Sequence, residues 1–403
     1  MKVGLIWHCV YPWDVRMEKI IRALREAGHD VVLVSKGRSD LPKREELDGV
    51  RICRVSKTPP VFKRIGAKIL GCPLYFNPVW KAQTLAVFRE EDVDLVLVRD
   101  LPLAGLALHV GRCLGRPVAM DMAENYPAAL VAYQNPLYKP FLVGNAWLPK
   151  RYELSSVREL DRTFVVVDEQ KRRLEALGID SDRLTVVGNT PERHFFSTDS
   201  SDSGDVLEKP ASEKSGRSLL YVGKIDPHRG IDLLVEVMPK LLPEFPDLRL
   251  VLVGNGTELE KLTARARELN IEQTVEFAGW VPFERVSSYV RDSDVCLIPH
   301  RRSEHTETTI PNKIFDYMAF GKPVVSSDCT PLKRVIEEHG VGVTFASGDV
   351  SDLERKIRQV LVDSDLVAVR ENGERAVRET YNWDVDKKMF LDAIERLSAT
   401  QSA

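Results

Sequence analysis

Residues 298–325 read IPHRRSEHTETTIPNKIFDYMAFGKPVV. The apolar run 295–298 just before them predicts a buried strand. A polar loop follows, then Pro311, then a helix predicted over 312–320. Gly321-Lys322-Pro323 ends that helix, and Val324-Val325 opens another strand. A loop therefore leaves a strand's carboxyl end and feeds a helix N-terminus carrying Asn312, Lys313 and Asp316. In an open α/β sheet a phosphorylated ligand sits at such a place, because free backbone N–H groups and the helix dipole favour anions.

The same alternation runs through the chain. Strands are predicted at 3–7, 31–35, 50–55, 94–98, 117–120, 164–167 and 184–187, with helices at 15–27 and 103–114 among those between them. The first strand, helix and strand span about 35 residues, which demands a right-handed parallel crossover. From 196 to 218 the sequence becomes rich in Ser, Asp and Lys and nearly free of apolar residues, the composition of a linker or mobile loop. The pattern then restarts, with strands at 218–222, 248–253, 275–277, 295–298 and 324–326. The fold class is α/β, two Rossmann-like doubly wound domains facing a central cleft. The boundaries are 1–192, a linker or mobile loop at 193–217, 218–380, and a C-terminal helical unit at 381–403.

The 403 residues carry a net charge of only −3, which argues against a dedicated nucleic-acid binder. Residues 1–192 hold 29 Lys and Arg against 24 Asp and Glu, whereas 193–403 hold 28 against 36. The mildly basic first half suits acidic lipid or an anionic acceptor; an ordinary surface fluctuation explains it equally. The six cysteines are scattered, and several sit in apolar runs as small core residues. The eight histidines form no His-Glu-x-x-His motif, and His300 and His305 are poorly spaced for one helical face. These features predict no protein-held metal and a reducing compartment. No secretory signal and no spanning helix is expected, because Met1-Lys2 leads directly into a strand and no uncharged apolar run approaches the required length.

Four loops of the second half carry chemistry. Gly223-Lys224 to Arg229-Gly230 follows a strand and opens a helix, so Lys224 and Arg229 are two cations suited to a diphosphate; a solvated basic turn is the plainer account. Gly254-Asn255-Gly256 again joins a strand to a helix, as a site of close ligand approach or an ordinary turn. Trp280-Val281 lies just past a strand, where backbone can meet a base edge with Trp280 as a wall, or where Trp280 simply packs. Asp316, one turn beyond Asn312-Lys313, suits the vicinal hydroxyls of a ribose, or is a helix-surface aspartate. All four stand at strand ends of one domain, which separate surface turns would not do.

This arrangement resembles the retaining glycosyltransferases of family 4, which have the GT-B fold, over nearly the whole chain. Gly223-Lys224 with Arg229-Gly230 resembles the family's Gly-Arg…Lys-Gly diphosphate motif with the cations exchanged. Residues 316–324 resemble its Glu-Ala-Met-Ala-x-Gly-x-Pro-Val, Val187-Gly188-Asn189-Thr190-Pro191 its pre-hinge segment, and Tyr381-Asn382-Trp383 the start of its C-terminal helix. The resemblance makes the first domain the acceptor side and the second the nucleotide-sugar side, with the last helix crossing back. Three departures stand out. The family's Glu-x7-Glu pair has its second acid at Asp316, but the first falls on Thr308, with Glu307 one residue off and Glu304 near. Asp121-Met122-Ala123-Glu124 looks like an Asp-x-His-Glu acceptor-side motif whose histidine is Ala123. The glycine-rich loop after the first strand is replaced by residues 7–16, including Asp14 and Arg16.

What the resemblance implies is transfer from a nucleoside-diphosphate sugar, UDP or GDP, with retention and without metal or other cofactor. The catalytic group comprises Lys224, Arg229, Glu124 and Asp121. Gly223, Gly254, Asn255, Trp280, Val281, Asn312, Lys313 and Asp316 contact donor. Asp14 and Arg16 face the acceptor, and Arg16 is otherwise a surface arginine at a helix start; Asp121 and Glu124 position the acceptor hydroxyl or are a structural strand-end pair. The acceptor is a glycan or lipid-linked molecule, in surface polysaccharide, glycolipid or glycoconjugate synthesis. Phe62, Ile65 and Ile69 beside Lys63, Arg64 and Lys68, with aromatics through Trp80, suggest peripheral membrane contact through 61–80 at the inner face of the membrane of a cytoplasmic protein, or a packed surface helix. A sugar-nucleotide epimerase of the same fold and a non-catalytic nucleotide-sugar binder are the rivals.

Overall fold

The computed structural model describes residues 1–12, 14–55, 77–132, 147–193, 216–363 and 365–399. The chain divides into two compact units, Met1–Asn189 with Asp386–Ala403, and Thr190–Val385.

The first unit is built on an eight-stranded sheet: β1 (Lys2–Trp7), β2 (Asp30–Lys36), β3 (Arg44–Leu47), β4 (Val50–Val55), β5 (Leu95–Arg99), β6 (Val118–Met122), β7 (Arg162–Val165) and β8 (Leu184–Val186). Their order is β3-β4-β2-β1-β5-β6-β7-β8, parallel except for the β3–β4 pair. β5 and β6 are buried along their whole length, as a sheet covered by helices on both faces requires. β3 is absent from the sequence reading because Arg44-Glu45-Glu46 looks like loop. Its signal was Asp48-Gly49, whose φ angles of 49° and 70° make the two-residue turn of a hairpin.

The second unit holds β9 (Ser218–Val222), β10 (Arg249–Val253), β11 (Val275–Gly279), β12 (Val295–Ile298), β13 (Val324–Ser327) and β14 (Gly342–Phe345), all parallel, in the order β11-β10-β9-β12-β13-β14. The direction of winding reverses between β1 and β5 in the first sheet and between β9 and β12 in the second. Loops leaving those strand pairs flank the crevice in which doubly wound sheets bind ligands.

The quoted stretch becomes β12, a loop, the helix Lys313–Ala319 and β13. The helix is a little shorter than predicted, and Gly321 beyond it is left-handed (φ 60°). The division between the units falls inside the last helix, Trp383–Ala399, at Asp386, where the sequence reading began its C-terminal unit at 381. Tyr381 stacks on Phe315 at 5.0 Å between ring centroids, and the Trp383 N–H donates to the Pro191 carbonyl at 2.9 Å, which holds 381–385 in the second unit. Further along the helix Trp383–Ala399, Asp386 accepts the Gly188 N–H at 2.7 Å and Phe390 packs on Phe164 at 4.9 Å, both within the first.

Most of the predicted linker at 193–217, namely 194–215, and most of the predicted membrane-facing segment, 61–76, lie outside the described residues. Trp80, the last aromatic of that segment, is buried in the first core at 2% exposure and is withdrawn from any membrane role. Among the described residues no helix is long and apolar enough to cross a membrane.

Candidate functional site

At the switch point of the second sheet the strand exits are laced together by backbone. The Gly223 N–H donates to Val253 O and the Gly254 N–H to Gly279 O, both at 2.8 Å. Gly254 has φ +139°, and a Cβ there would stand 1.9 Å from Gly223 O, so no other residue permits this approach. Asn255 turns its Oδ1 onto its own loop, accepting the Gly256 N–H at 2.8 Å. Beyond Lys224 the chain makes a short turn, Pro227–Arg229, and reaches Gly230 in the left-handed region, φ 68°. A Cβ at Gly230 would lie 2.1 Å from Pro299 O. The turn is thereby pressed against the end of β12, and the Arg301 N–H donates to His228 O at 3.1 Å.

This contact places Arg229 beside His300, Nη1 to Nε2 at 3.2 Å. Lys313 Nζ lies 4.0 Å from the centre of the Tyr221 ring. Gly223 makes room for it, since a Cβ there would come 2.7 Å from Lys313 Nζ. Lys313, contributed by the helix, is near enough for the Arg229 charge to act on it. Lys224 of the predicted pair is exposed, and its carbonyl accepts the Tyr221 hydroxyl at 2.7 Å.

Burial, with Arg229 beside it, holds the Lys313 ammonium well below the ordinary lysine range; nearby Asp316 opposes this only in part. The ion pairs of the described residues leave Arg229 and Lys313 without a carboxylate, and Arg229 Nε is buried without a hydrogen bond. Three histidines surround Arg229. Burial and then the guanidinium push His228 and His305 each to about 4, and His300 well below its usual value. All three are neutral near pH 7. Residues 71 positions apart were not linked in the sequence reading; the strand order β9–β12 brings them together. Among the described residues no group of three His, Cys, Asp or Glu is placed to hold a metal ion.

The acidic pair departs further from the family pattern. Thr308, at the place of the first acid, is buried and donates its hydroxyl to Glu304 O at 2.8 Å. Glu307 does not stand in for it, because its carboxylate accepts the Thr330 N–H and hydroxyl and pairs with Arg302. Trp280 is 75% exposed, so it is not a packed tryptophan; Val281, half-buried, and exposed Asn312 adjoin the same sheet end.

The first unit uses its switch point differently. The Arg16 guanidinium donates from Nε to Asp121 Oδ2 at 2.9 Å and from Nη2 to Oδ1 at 2.6 Å, then to Val187 O (2.9 Å) and Gly188 O (2.8 Å). Arg99 Nη1 takes Asp121 Oδ2 at 2.8 Å. Burial alone would raise the Asp121 pKa, but the two arginines outweigh it and hold the carboxylate below its usual range. Arg16 and Asp121 are 2% and 1% exposed and form a buried ion pair, the structural alternative for these two residues. Asp14 caps its helix, accepting the Met17 N–H at 2.9 Å, and approaches Arg99 at 3.8 Å. Half-buried Glu124 remains beside Asp100, whose Oδ1 accepts the Ala123 N–H at 3.3 Å. His8, passed over in the sequence, faces the same Asp100; burial lowers its pKa against the pull of that carboxylate, and its Nδ1 is buried without a hydrogen bond.

Two parallel doubly wound sheets define an α/β fold, and comparison with known proteins gives its class. Residues 204–379 match the model of glycosyl transferases group 1, and 14–190 that of the glycosyl transferase 4-like domain. The phosphatidyl-myo-inositol mannosyltransferase of Mycolicibacterium smegmatis is 22% identical over 99% of this chain and 94% of its own length. The sucrose-phosphate synthase of Thermosynechococcus elongatus superposes with a TM-score of 0.76 over 99% of both chains at 19% identity, and Anabaena HepE in complex with UDP with 0.74 over 98% and 100% at 13% identity. The chain belongs to the group 1, family 4-type glycosyltransferases of GT-B fold. It is an enzyme that transfers sugar from a nucleotide-sugar donor in glycoconjugate synthesis.

Proposed function

We propose that the enzyme transfers a hexosyl group from a UDP- or GDP-sugar to a hydroxyl of a glycan or lipid-linked acceptor, with retention at the anomeric carbon and without metal or other cofactor. One observation carries this reading: among the described residues neither Arg229 nor Lys313 forms an ion pair with a carboxylate, and nearby Asp316 offsets the burial of Lys313 only in part. Charge grows on the diphosphate as the sugar–oxygen bond breaks, and fixed cations lower the barrier most where charge develops. Asp316, adjacent to Lys313, is the residue for ribose hydroxyls. Exposed Trp280 and the backbone at Val281 suit the base. Lys224 joins from the open side when donor binds.

In this reading the diphosphate leaving group accepts the proton of the acceptor hydroxyl as the new bond forms on the same face, so no protein nucleophile is needed. Glu124 and His8 remain to orient the acceptor. The mannosyltransferase relative is named for a phosphatidyl-inositol, which favours a lipid-linked acceptor and work at the inner face of a membrane. The test is Arg229→Ala assayed against a panel of UDP- and GDP-sugars. Turnover should fall about 10²- to 10³-fold and calorimetric binding of the free nucleotide diphosphate should be lost. Wild-type turnover and binding in this variant would overturn the diphosphate assignment. Donor turned over without any acceptor, to an isomeric sugar nucleotide, would instead identify an epimerase.

A further inference from the structure

We infer that His300 is a positioning residue for catalysis: a neutral imidazole that aims the Arg229 guanidinium while leaving its charge unspent. The inference rests on the reading of Arg229 as a diphosphate ligand. A guanidinium has only donors, so in the 3.2 Å contact between Arg229 Nη1 and His300 Nε2 the imidazole nitrogen must accept. That fixes the tautomer, with the proton on Nδ1, and requires an uncharged ring.

The surroundings enforce both conditions. His300 is 1% exposed, and its charged form would have to stand beside Arg229 and Lys313. Its backbone is tied down as well: the carbonyl accepts the Ser347 hydroxyl at 3.3 Å. Gly230 presses the Arg229 turn onto the adjoining Pro299 carbonyl, so neither partner can drift.

The choice of acceptor has a chemical consequence. A carboxylate in place of His300 would hold Arg229 equally well but would cancel its charge before donor arrived. An aliphatic side chain would keep the charge and lose the aim. The neutral imidazole does both, and it takes up only one of the Arg229 N–H groups. The first unit supplies the contrast in the same molecule, since the Asp121 carboxylate pairs with Arg16 and offsets its charge.

The test compares His300→Gln, whose side-chain oxygen can replace Nε2 as acceptor, with His300→Phe, which keeps the bulk and removes the acceptor, alongside Arg229→Ala. His300→Phe should lose about ten- to a hundredfold in kcat, with a smaller rise in donor KM. His300→Gln should recover most of that loss, and the melting temperatures of the two should agree within a few degrees. Equal kcat in both variants, whether low or wild type, overturns the inference. If either variant does not fold, ¹⁵N NMR of ring-labelled histidine in the wild-type enzyme decides: Nε2 of His300 should be unprotonated, and a proton there overturns the proposal. Arg229→Ala separates the two levels. If it too is silent, the diphosphate reading itself has failed; if it is inactive while His300→Phe is normal, only the role of His300 has.

Discussion

Both units place an arginine where the winding of a parallel sheet reverses, Arg16 buried and Arg229 half-buried, yet the two arginines have opposite environments. Arg16 is paired with Asp121 and bonded to two carbonyls, and Arg99 adds a second pairing to Asp121. Arg229 has a neutral histidine, a second cation nearby and an Nε with no partner. The same topology thus supports a closed ion cluster in one unit and an unneutralised one in the other. A buried charge with a full set of partners contributes to the fold; one left without them destabilises the empty protein and is relieved by a ligand.

Four substitutions press on that contrast. The largest effect belongs to Asp121→Ala, which strands two buried arginines and should cost about 3–5 kcal/mol of stability; a urea midpoint unchanged from wild type would erase the distinction between the units. Asp121→Asn adds a pH signature. The folded-state pKa of Asp121 lies below its unfolded value, so its contribution is fully present above the unfolded value of about 3.9 and is lost as pH falls through the folded one. Wild type should therefore lose stability more steeply than Asp121→Asn below about pH 5, as followed by circular dichroism.

Lys313→Met should do the reverse of Asp121→Ala. Donor affinity and turnover fall, while the empty enzyme gains about 1 kcal/mol by replacing a poorly solvated charge with an apolar chain. Because the folded-state pKa of Lys313 is depressed, the penalty of charging it is present below that value and fades as pH rises toward the unfolded value of about 10.4. The stability gap between variant and wild type should narrow accordingly. Diphosphate should restore the ammonium, so UDP or GDP binding on the alkaline side takes up protons, measurable by calorimetry in two buffers of different ionisation enthalpy. The smallest effect is that of Trp280→Ala. At 75% exposure its loss should change stability by less than about 0.5 kcal/mol, whereas stacking on a base would weaken donor binding by about 1–3 kcal/mol. Unaltered donor affinity would remove Trp280 from the site.

The alternation of apolar runs with amphipathic segments was enough to predict two doubly wound units, because strands buried on both faces must be apolar throughout. The strand-end loops were legible for a related reason. Gly223, Gly230 and Gly254 mark places where backbone passes within reach of another backbone or of Lys313, and no side chain fits there. β3 was not legible, since three charged residues on an edge strand carry no apolar signal.

What the linear order did determine, then, is the fold, the family and the strand-end loops where backbones pass closely, because periodicity and glycine placement are local properties. Which charges are spent and which are waiting was decided only by the tertiary structure. Arg16 and Arg229 look alike in sequence, each near a helix start after a strand. Asp121 lies 105 residues from the one and His300 71 residues from the other, and only the order of the strands brings each pair within hydrogen-bond reach. Electrostatic role depends on through-space neighbours in a medium of low dielectric, and no spacing along the chain encodes it.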